Sequence, residues 1–133
     1  MKTFFKGSIL ILCLGLLLGR AAVMGQKRAT AGLLWTNERT NKPLPKVGSL
    51  SVVTDWQGAP LCIIESTHIE VLPFDAVSDG FAALEGEGDK TLRDWREAHW
   101  RFFSRECQRI GKEPDPQMPV VCEQFKVVYP ACD

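Results

Sequence analysis

Residues 48–71, GSLSVVTDWQGAPLCIIESTHIEV, decide the fold of this chain. They contain two runs rich in β-branched residues, 48–56 and 61–71, and such runs are typical of strands. The turn-forming residues 57–60 separate the runs, and a short connection that contains glycine joins neighbouring antiparallel strands. This stretch therefore predicts an antiparallel β-hairpin.

A long amphipathic helix is predicted after the hairpin. Apolar side chains recur at helical spacing through residues 91–110, and arginines occupy the other faces. Thr91 is a suitable N-cap with Asp94 three residues later, and Gly111 is a suitable C-terminal stop. This is the strongest helix signal in the sequence.

The remaining segments predict the rest of one small domain. Residues 75–84 favour a shorter helix, residues 120–129 favour a strand, and residues 27–35 are ambiguous but compatible with a strand entering the same sheet. Strands followed by helices and a final strand are typical of an α+β domain. We expect a small β-barrel or curved mixed sheet with two flanking helices at one end.

The composition of the chain limits which functions are possible. The chain has 133 residues, enough for one core, and 16 basic residues balance 16 acidic ones. Residues 1–25 contain three of the bases and no acid, so the remainder carries 13 bases against 16 acids, or a net charge of −3. A slightly acidic body does not bind nucleic acid over a broad surface, so any such role must be local.

Residues 1–25 differ in character from the rest. A basic start precedes an apolar run over residues 9–18, and small residues follow it. This pattern is typical of a secretory signal, and the run is too short for a membrane span. A buried apolar helix and a wrongly assigned start are the alternatives. We therefore divide the chain into residues 1–25, a domain over 26–130 and a tail at 131–133, with membrane contact only if the first segment is retained.

The cysteines do not indicate a metal site. Cys62, Cys107, Cys122 and Cys132 follow the apolar segment, and neither a CxxC motif nor a Cys/His pair at ligand spacing is present. An even number of cysteines is compatible with two disulfides in an oxidising compartment. Their positions in apolar runs and on a helix favour buried free thiols.

The most informative short motif is residues 25–30, GQKRAT. It places Gly25, Lys27 and Thr30 in a G-x-K-x-x-T pattern, with Arg28 beside the lysine. Two cations and a hydroxyl this close together can bind a phosphate or place an amine beside a nucleophile. The alternative is a solvated basic pair followed by a threonine that merely favours a strand.

The segments after this motif occur in a specific order. PKVG introduces SLSVVTDW, and PLCIIE, EGEGD, WREAHWRFF and VVCEQFKVVYP follow. In this order, from about residue 25 to residue 130, the chain resembles the bacterial branch of the ASCH (activating-signal-cointegrator homology) domain family. The resemblance implies a PUA-like β-barrel with a cleft for RNA or a modified nucleoside, and a cytoplasmic location rather than export. The chain departs from the family pattern at Gly32, where many members have an arginine.

The resemblance also implies a chemistry. Some members are similar to amidohydrolases that remove the acetyl group of N4-acetylcytidine, and others to RNA-binding modules or ribonucleases. In the first case the match implies Thr30 as nucleophile, Lys27 as base and Glu87 as acid, with Glu85 as the alternate to Glu87. It implies neither a cofactor nor a metal. A non-catalytic binding domain, exported through the first segment, is the competing hypothesis.

Other residues are predicted to contact the substrate. Flat aromatic faces stack on unpaired bases, and the predicted strand ends make Trp35 and Trp56 suitable platforms. On the long helix, arginines are suited to an RNA backbone, and His99 is either a core residue or a residue of the cleft edge. The predicted substrate-binding set is Arg28, Trp35, Trp56, Glu85, Arg96 and His99.

Overall fold

The computed structural model describes residues 9–13, 27–86 and 91–130. The described strands are β1 (Ile9–Cys13), β2 (Ala29–Leu33), β3 (Leu50–Thr54), β4 (Pro60–Pro73) and β5 (Pro119–Tyr129). The described helices are α1 (Leu34–Arg39), α2 (Asp79–Glu85) and α3 (Leu92–Ile110), with a 3₁₀ turn at Phe74–Ala76.

The described strands form one curled sheet in the order β1-β3-β4-β5-β2. The predicted hairpin is confirmed, because β3 and β4 pair antiparallel with Val53 opposite Cys62. Gly58, in their connection, has a φ of +84°, which a residue with a side chain rarely adopts. The long strand β4 also pairs with β5, and irregularities in that pairing bend the sheet.

The helix predictions are also confirmed. The Thr91 hydroxyl accepts a hydrogen bond from the Asp94 backbone N–H at 3.1 Å, which caps α3. Gly111 ends the helix with a left-handed φ of +75°. The predicted helix at 75–84 is a 3₁₀ turn and α2, with Ser78 as the cap.

Two segments differ from the sequence expectation. Residues 34–39 form α1, so the prediction that Trp35 lies at a strand end is wrong; β2 ends at Leu33, and the chain turns at once into a helix that packs against α3. Within residues 1–25, for which a signal or an apolar helix was expected, the structure has the strand β1, which pairs parallel with β3. Whether that segment is an export signal stays a prediction.

The sheet separates two hydrophobic clusters. One lies between the sheet and the helices, and the other lies on the opposite face of the sheet. The helix-side cluster includes Ala29, Leu33, Phe74, Trp95, Phe103 and Val120. The opposite cluster includes Val53, Cys62, Ile64 and Phe125. Both faces of the sheet are therefore partly buried.

The described cysteines that follow the apolar segment are buried free thiols, as the sequence favoured. Cys62, Cys107 and Cys122 have no disulfide partner in the described part of the chain, and Cys132 lies outside it. Burial in particular raises the pKa of the Cys122 thiol to about 12. Such a thiol stays protonated at neutral pH and is chemically inert.

Candidate functional site

An ion pair lies in the interior where β2 meets α2. The Lys27 Nζ atom is 2.7 Å from Oε2 of Glu85, and each side chain is only 1% exposed. Lys27 precedes β2, and Glu85 is the last residue of α2. A hydrogen bond of 2.7 Å from the Arg28 N–H to the Leu84 carbonyl holds the two elements together. The backbone thus fixes the position of both charges.

Two residues of α3 complete this site. Trp95 donates its indole N–H to Oε1 of Glu85 at 3.3 Å, and Nε2 of His99 lies 3.2 Å from the same oxygen. The Trp95 and His99 rings stack with centroids 4.2 Å apart, as expected for residues one helical turn apart. We call Lys27, Glu85, Trp95 and His99 the buried charge cluster.

Hydrogen bonds and the neighbouring lysine set the charge of Glu85 in the buried charge cluster. Burial by itself raises the pKa of the Glu85 carboxyl, but the hydrogen bond from His99 and the charge of Lys27 together outweigh it, so this pKa lies below its ordinary value. Glu85 is therefore anionic at neutral pH. On His99, Nδ1 lies 3.0 Å from the Trp95 carbonyl oxygen and Nε2 lies 3.2 Å from Oε1 of Glu85, so both ring nitrogens face oxygen atoms.

The structure brings together some of the residues that the sequence singled out. Lys27, Glu85 and His99 are in contact, and Glu85, the alternate acid, is the carboxylate on the lysine. Glu87, the first choice, lies outside the described residues. The Arg28 side chain is exposed, whereas its neighbour Lys27 is buried.

Thr30 lies on the other face of the sheet. Side chains alternate along a strand, and Ala29 and Leu33 belong to the helix-side core, so Thr30 points to the opposite face. In the antiparallel pairing of β2 with β5, Glu123 is directly opposite Thr30. The Ser66 hydroxyl donates to Oε2 of Glu123 at 2.5 Å. We call Thr30, Ser66 and Glu123 the sheet-face cluster.

Sequence reasoning missed Ser66 and Glu123. They belong to two strands far apart in the chain, and the bulge between Ser66 and His68 sets which side chain meets Glu123. Burial raises the pKa of the Glu123 carboxyl, and the hydrogen bond from Ser66 opposes this effect only in part. The sequence does show Glu123 as a single acid directly after three apolar residues, and this could have drawn attention to it. The strand register that pairs it with Thr30, however, is set only by the tertiary fold.

The two candidate stacking residues differ in accessibility. Trp56 lies in the turn after β3 and is 78% exposed. Trp35 packs against the helix-side core, and the Nζ atom of Lys112 sits 4.9 Å from the centroid of its ring. Trp56 thus offers an open aromatic face, whereas one face of Trp35 is already occupied by a cation.

A shallow groove lies beside α3. Arg96, Arg101 and Trp100 line it together with Phe74 and Glu97, and its volume is about 410 Å³. A guanidinium N–H of Arg96 donates to the Asp75 carbonyl at 3.1 Å, which orients this side chain. Two guanidinium groups beside an aromatic ring suit contacts to a phosphate and a base.

In residues 9–13, 27–86 and 91–130, no group of three or more His, Cys, Asp or Glu side chains is placed to hold a metal ion. No helix in the described part of the chain has the length and apolar character needed to cross a membrane.

Comparison with known proteins gives the family. Residues 17–129 match the sequence model of the ASCH domain. The chain belongs to the ASCH domain family. An ASCH domain from Lactobacillus crispatus JV V101 is 41% identical, with a TM-score of 0.83 over 90% of this chain and 80% of that one. A protein from Enterococcus faecalis V583 is 33% identical, with a TM-score of 0.81 over 95% of this chain and 78% of that one.

A more distant structure shows only the fold. A Pyrococcus furiosus protein solved by NMR is 15% identical, with a TM-score of 0.51 over 91% of this chain and 98% of that one. No curated protein matches the sequence significantly. The resemblance and the α+β, PUA-like fold class are confirmed, with three helices in the described part of the ASCH domain rather than two.

Proposed function

We propose that this ASCH domain binds RNA or a modified nucleoside beside the start of β2 and hydrolyses the N4-acyl amide of acetylcytidine. ASCH domains generally bind RNA, which supports the first part. The observation that carries the second is the buried pair Lys27–Glu85, extended by His99. Titratable groups with perturbed protonation concentrate at functional sites, and this cluster begins in the G-x-K-x-x-T motif.

Amide hydrolysis requires a nucleophile, a proton acceptor and a donor for the oxyanion. Thr30 supplies the hydroxyl that attacks the acyl carbon. Lys27 was expected to act as the base, but its pairing with anionic Glu85 fits an ammonium that stabilises the developing oxyanion. The sequence assignment of Glu87 as the acid stays a prediction.

The position of β2 bears on how one ligand could contact both the buried charge cluster and Thr30. Among the described strands, β5 is the sole neighbour of β2, so β2 is an edge strand. A ligand at its other edge meets side chains that point to either face of the sheet. A substrate at this edge contacts Thr30 directly and reaches the buried charge cluster after a local rearrangement, and Arg96 and Arg101 are suited to a more distant phosphate.

The test measures release of acetate from N4-acetylcytidine by purified protein. We expect wild-type protein and Thr30→Ser to be active and Thr30→Ala to lose activity, because only the first two have a hydroxyl. Thr67→Ala, which removes an exposed threonine of β4, is the matched control. Equal rates of acetate release for wild-type protein and Thr30→Ala contradict Thr30 as the nucleophile, and no release by wild-type protein contradicts hydrolysis.

The burial of Lys27 and Glu85 favours a second candidate function, an RNA-binding domain without catalysis. A side chain that is 1% exposed needs a local rearrangement to reach a substrate, whereas a structural ion pair needs none. The double variant Lys27→Met/Glu85→Leu replaces the pair by apolar groups of similar size. If wild-type protein releases no acetate and the double variant folds and binds single-stranded RNA as wild type does, the pair is structural and the domain only binds.

A further inference from the structure

The sheet-face cluster contains a carboxyl group that the function above does not use. Glu123 lies directly opposite Thr30 in the register of β2 and β5. Opposed side chains of an antiparallel pair have Cβ atoms about 4.5–5.5 Å apart, which is within reach of a carboxylate and a hydroxyl. Ser66, which is completely buried, binds Oε2 of Glu123 and fixes that carboxyl in place.

Ser66 binds one of the two carboxyl oxygens of Glu123. Within residues 27–86 and 91–130, Ser66 is the side chain that hydrogen-bonds to Glu123, and no lysine or arginine there forms an ion pair with it. Glu123 is half-buried, so part of the residue contacts solvent. Ser66 thus anchors one oxygen of a carboxyl that is not sealed from solvent.

The face of the sheet around Thr30 is sterically open at Gly32. Gly32 lies two residues along β2, on the same face as Thr30. A Cβ atom added at Gly32 meets no other atom within 4 Å. The absence of a side chain there leaves open space beside the hydroxyl.

We propose that Glu123 is the general base that activates Thr30 in amide hydrolysis. This inference rests on the proposed function and supplies the proton acceptor that it lacks. Lys27 is held by Glu85 in an ion pair on the helix side of the sheet, whereas the Thr30 side chain lies on the opposite face with Glu123. Glu123, in contrast, carries no counter-ion among the described residues. Its burial moves its pKa towards neutral pH, where a carboxylate is a more effective base.

The Glu123 carboxylate takes the hydroxyl proton of Thr30 as Oγ1 forms a bond to the acyl carbon. The bond between that carbon and N4 then breaks, and N4 receives the proton and leaves as the amine of cytidine. A water molecule, deprotonated by Glu123, attacks the threonine ester and releases acetate, and the proton returns to Thr30. The products are cytidine and acetic acid from one amide and one water.

The test compares Glu123→Gln with wild-type protein for cytidine formation from N4-acetylcytidine. The amide still accepts the hydrogen bond of Ser66 but cannot take a proton, so we expect the rate to fall about 10²- to 10⁴-fold. The midpoint of thermal unfolding and the affinity for single-stranded RNA are expected to stay near the wild-type values. Glu70→Gln, which removes an exposed carboxylate of β4, is the matched control and keeps full activity.

A second variant separates a base from a structural carboxyl. Glu123→Ala is expected to be inactive, and added formate is expected to restore part of its rate because a small carboxylate can enter the space left by the side chain. A structural role predicts no rescue.

The outcomes distinguish the two proposals. If wild-type protein forms no cytidine, the proposed function fails and this inference fails with it. If wild-type protein is active and Thr30→Ala is not, but Glu123→Gln stays within about threefold of wild type, only the assignment of Glu123 is overturned.

Discussion

The Nζ atom of Lys27 lies 2.7 Å from Oε2 of Glu85, although 58 residues separate them in the chain and each side chain is only 1% exposed. Charges removed from water are costly unless each is matched by a partner and by hydrogen bonds. Here Trp95 and His99 add hydrogen-bonding groups to the carboxylate. This relationship joins the start of β2, the end of α2 and the middle of α3, so it links stability to the candidate site.

Breaking this ion pair is expected to destabilise the fold. Lys27→Met leaves the Glu85 carboxylate buried without its counter-ion, and the expected loss in the free energy of unfolding is about 3–5 kcal/mol. The double variant Lys27→Met/Glu85→Leu is expected to recover most of that loss, because no charge remains buried. Urea denaturation of the three proteins at neutral pH measures both changes. If Lys27→Met loses less than about 1 kcal/mol of unfolding free energy, the ion pair does not contribute strongly to stability.

Acid is expected to weaken the fold through Glu85. Its pKa in the folded protein is lower than in the unfolded chain, so the unfolded chain binds more protons as the pH falls. The stabilisation is complete above the ordinary carboxyl pKa of 4.5 and is lost as the pH falls below it, through the folded-state value. Unfolding free energies at pH 7, 5 and 3.5 test this. The double variant, which lacks the carboxyl, should lose less stability over the same range.

Gly32→Arg is expected to strengthen RNA binding. The position is sterically open, and the new guanidinium adds a cation on the face of Thr30. Affinity for single-stranded RNA should rise, and its dependence on salt should steepen by about 0.7 for each phosphate contacted. Fluorescence anisotropy at several salt concentrations measures both quantities.

Gly32→Ala is the control for that variant. It adds no charge and removes the conformational freedom of a glycine within a strand, so it should stabilise the fold by about 0.5–1 kcal/mol without changing RNA affinity. If both variants bind RNA as wild type does, the face of Thr30 does not contact the phosphate backbone.

Trp56→Ala is expected to weaken RNA binding. The side chain is 78% exposed, so its removal leaves the core intact, and loss of one stacked base costs about 1–3 kcal/mol. Val47→Ala removes another exposed apolar side chain, 68% accessible, and is expected to have no effect. Dissociation constants for a single-stranded oligonucleotide compare the two. Unchanged affinity in Trp56→Ala excludes this residue as a stacking platform.

The hairpin, α3 with its caps and the free thiols were predictable because each depends on local chemistry. Residues 48–71 consist of two runs rich in β-branched residues around a glycine turn, and Thr91 and Gly111 meet the steric and hydrogen-bonding needs of helix ends. Helix α1 was not predictable in this way, since it forms by packing against α3 and its sequence lacks a capping signal.

The sequence alone determined the family, the α+β class and the importance of the motif that contains Lys27 and Thr30, because these depend on the order of short segments. Only the tertiary structure decided which partners the motif has. The fold placed Glu85 and His99 on Lys27, and strand register placed Glu123 opposite Thr30. The reason is physical: a buried charge must find its counter-charge through packing of distant elements, and a shift of one residue in register would turn Glu123 to the other face.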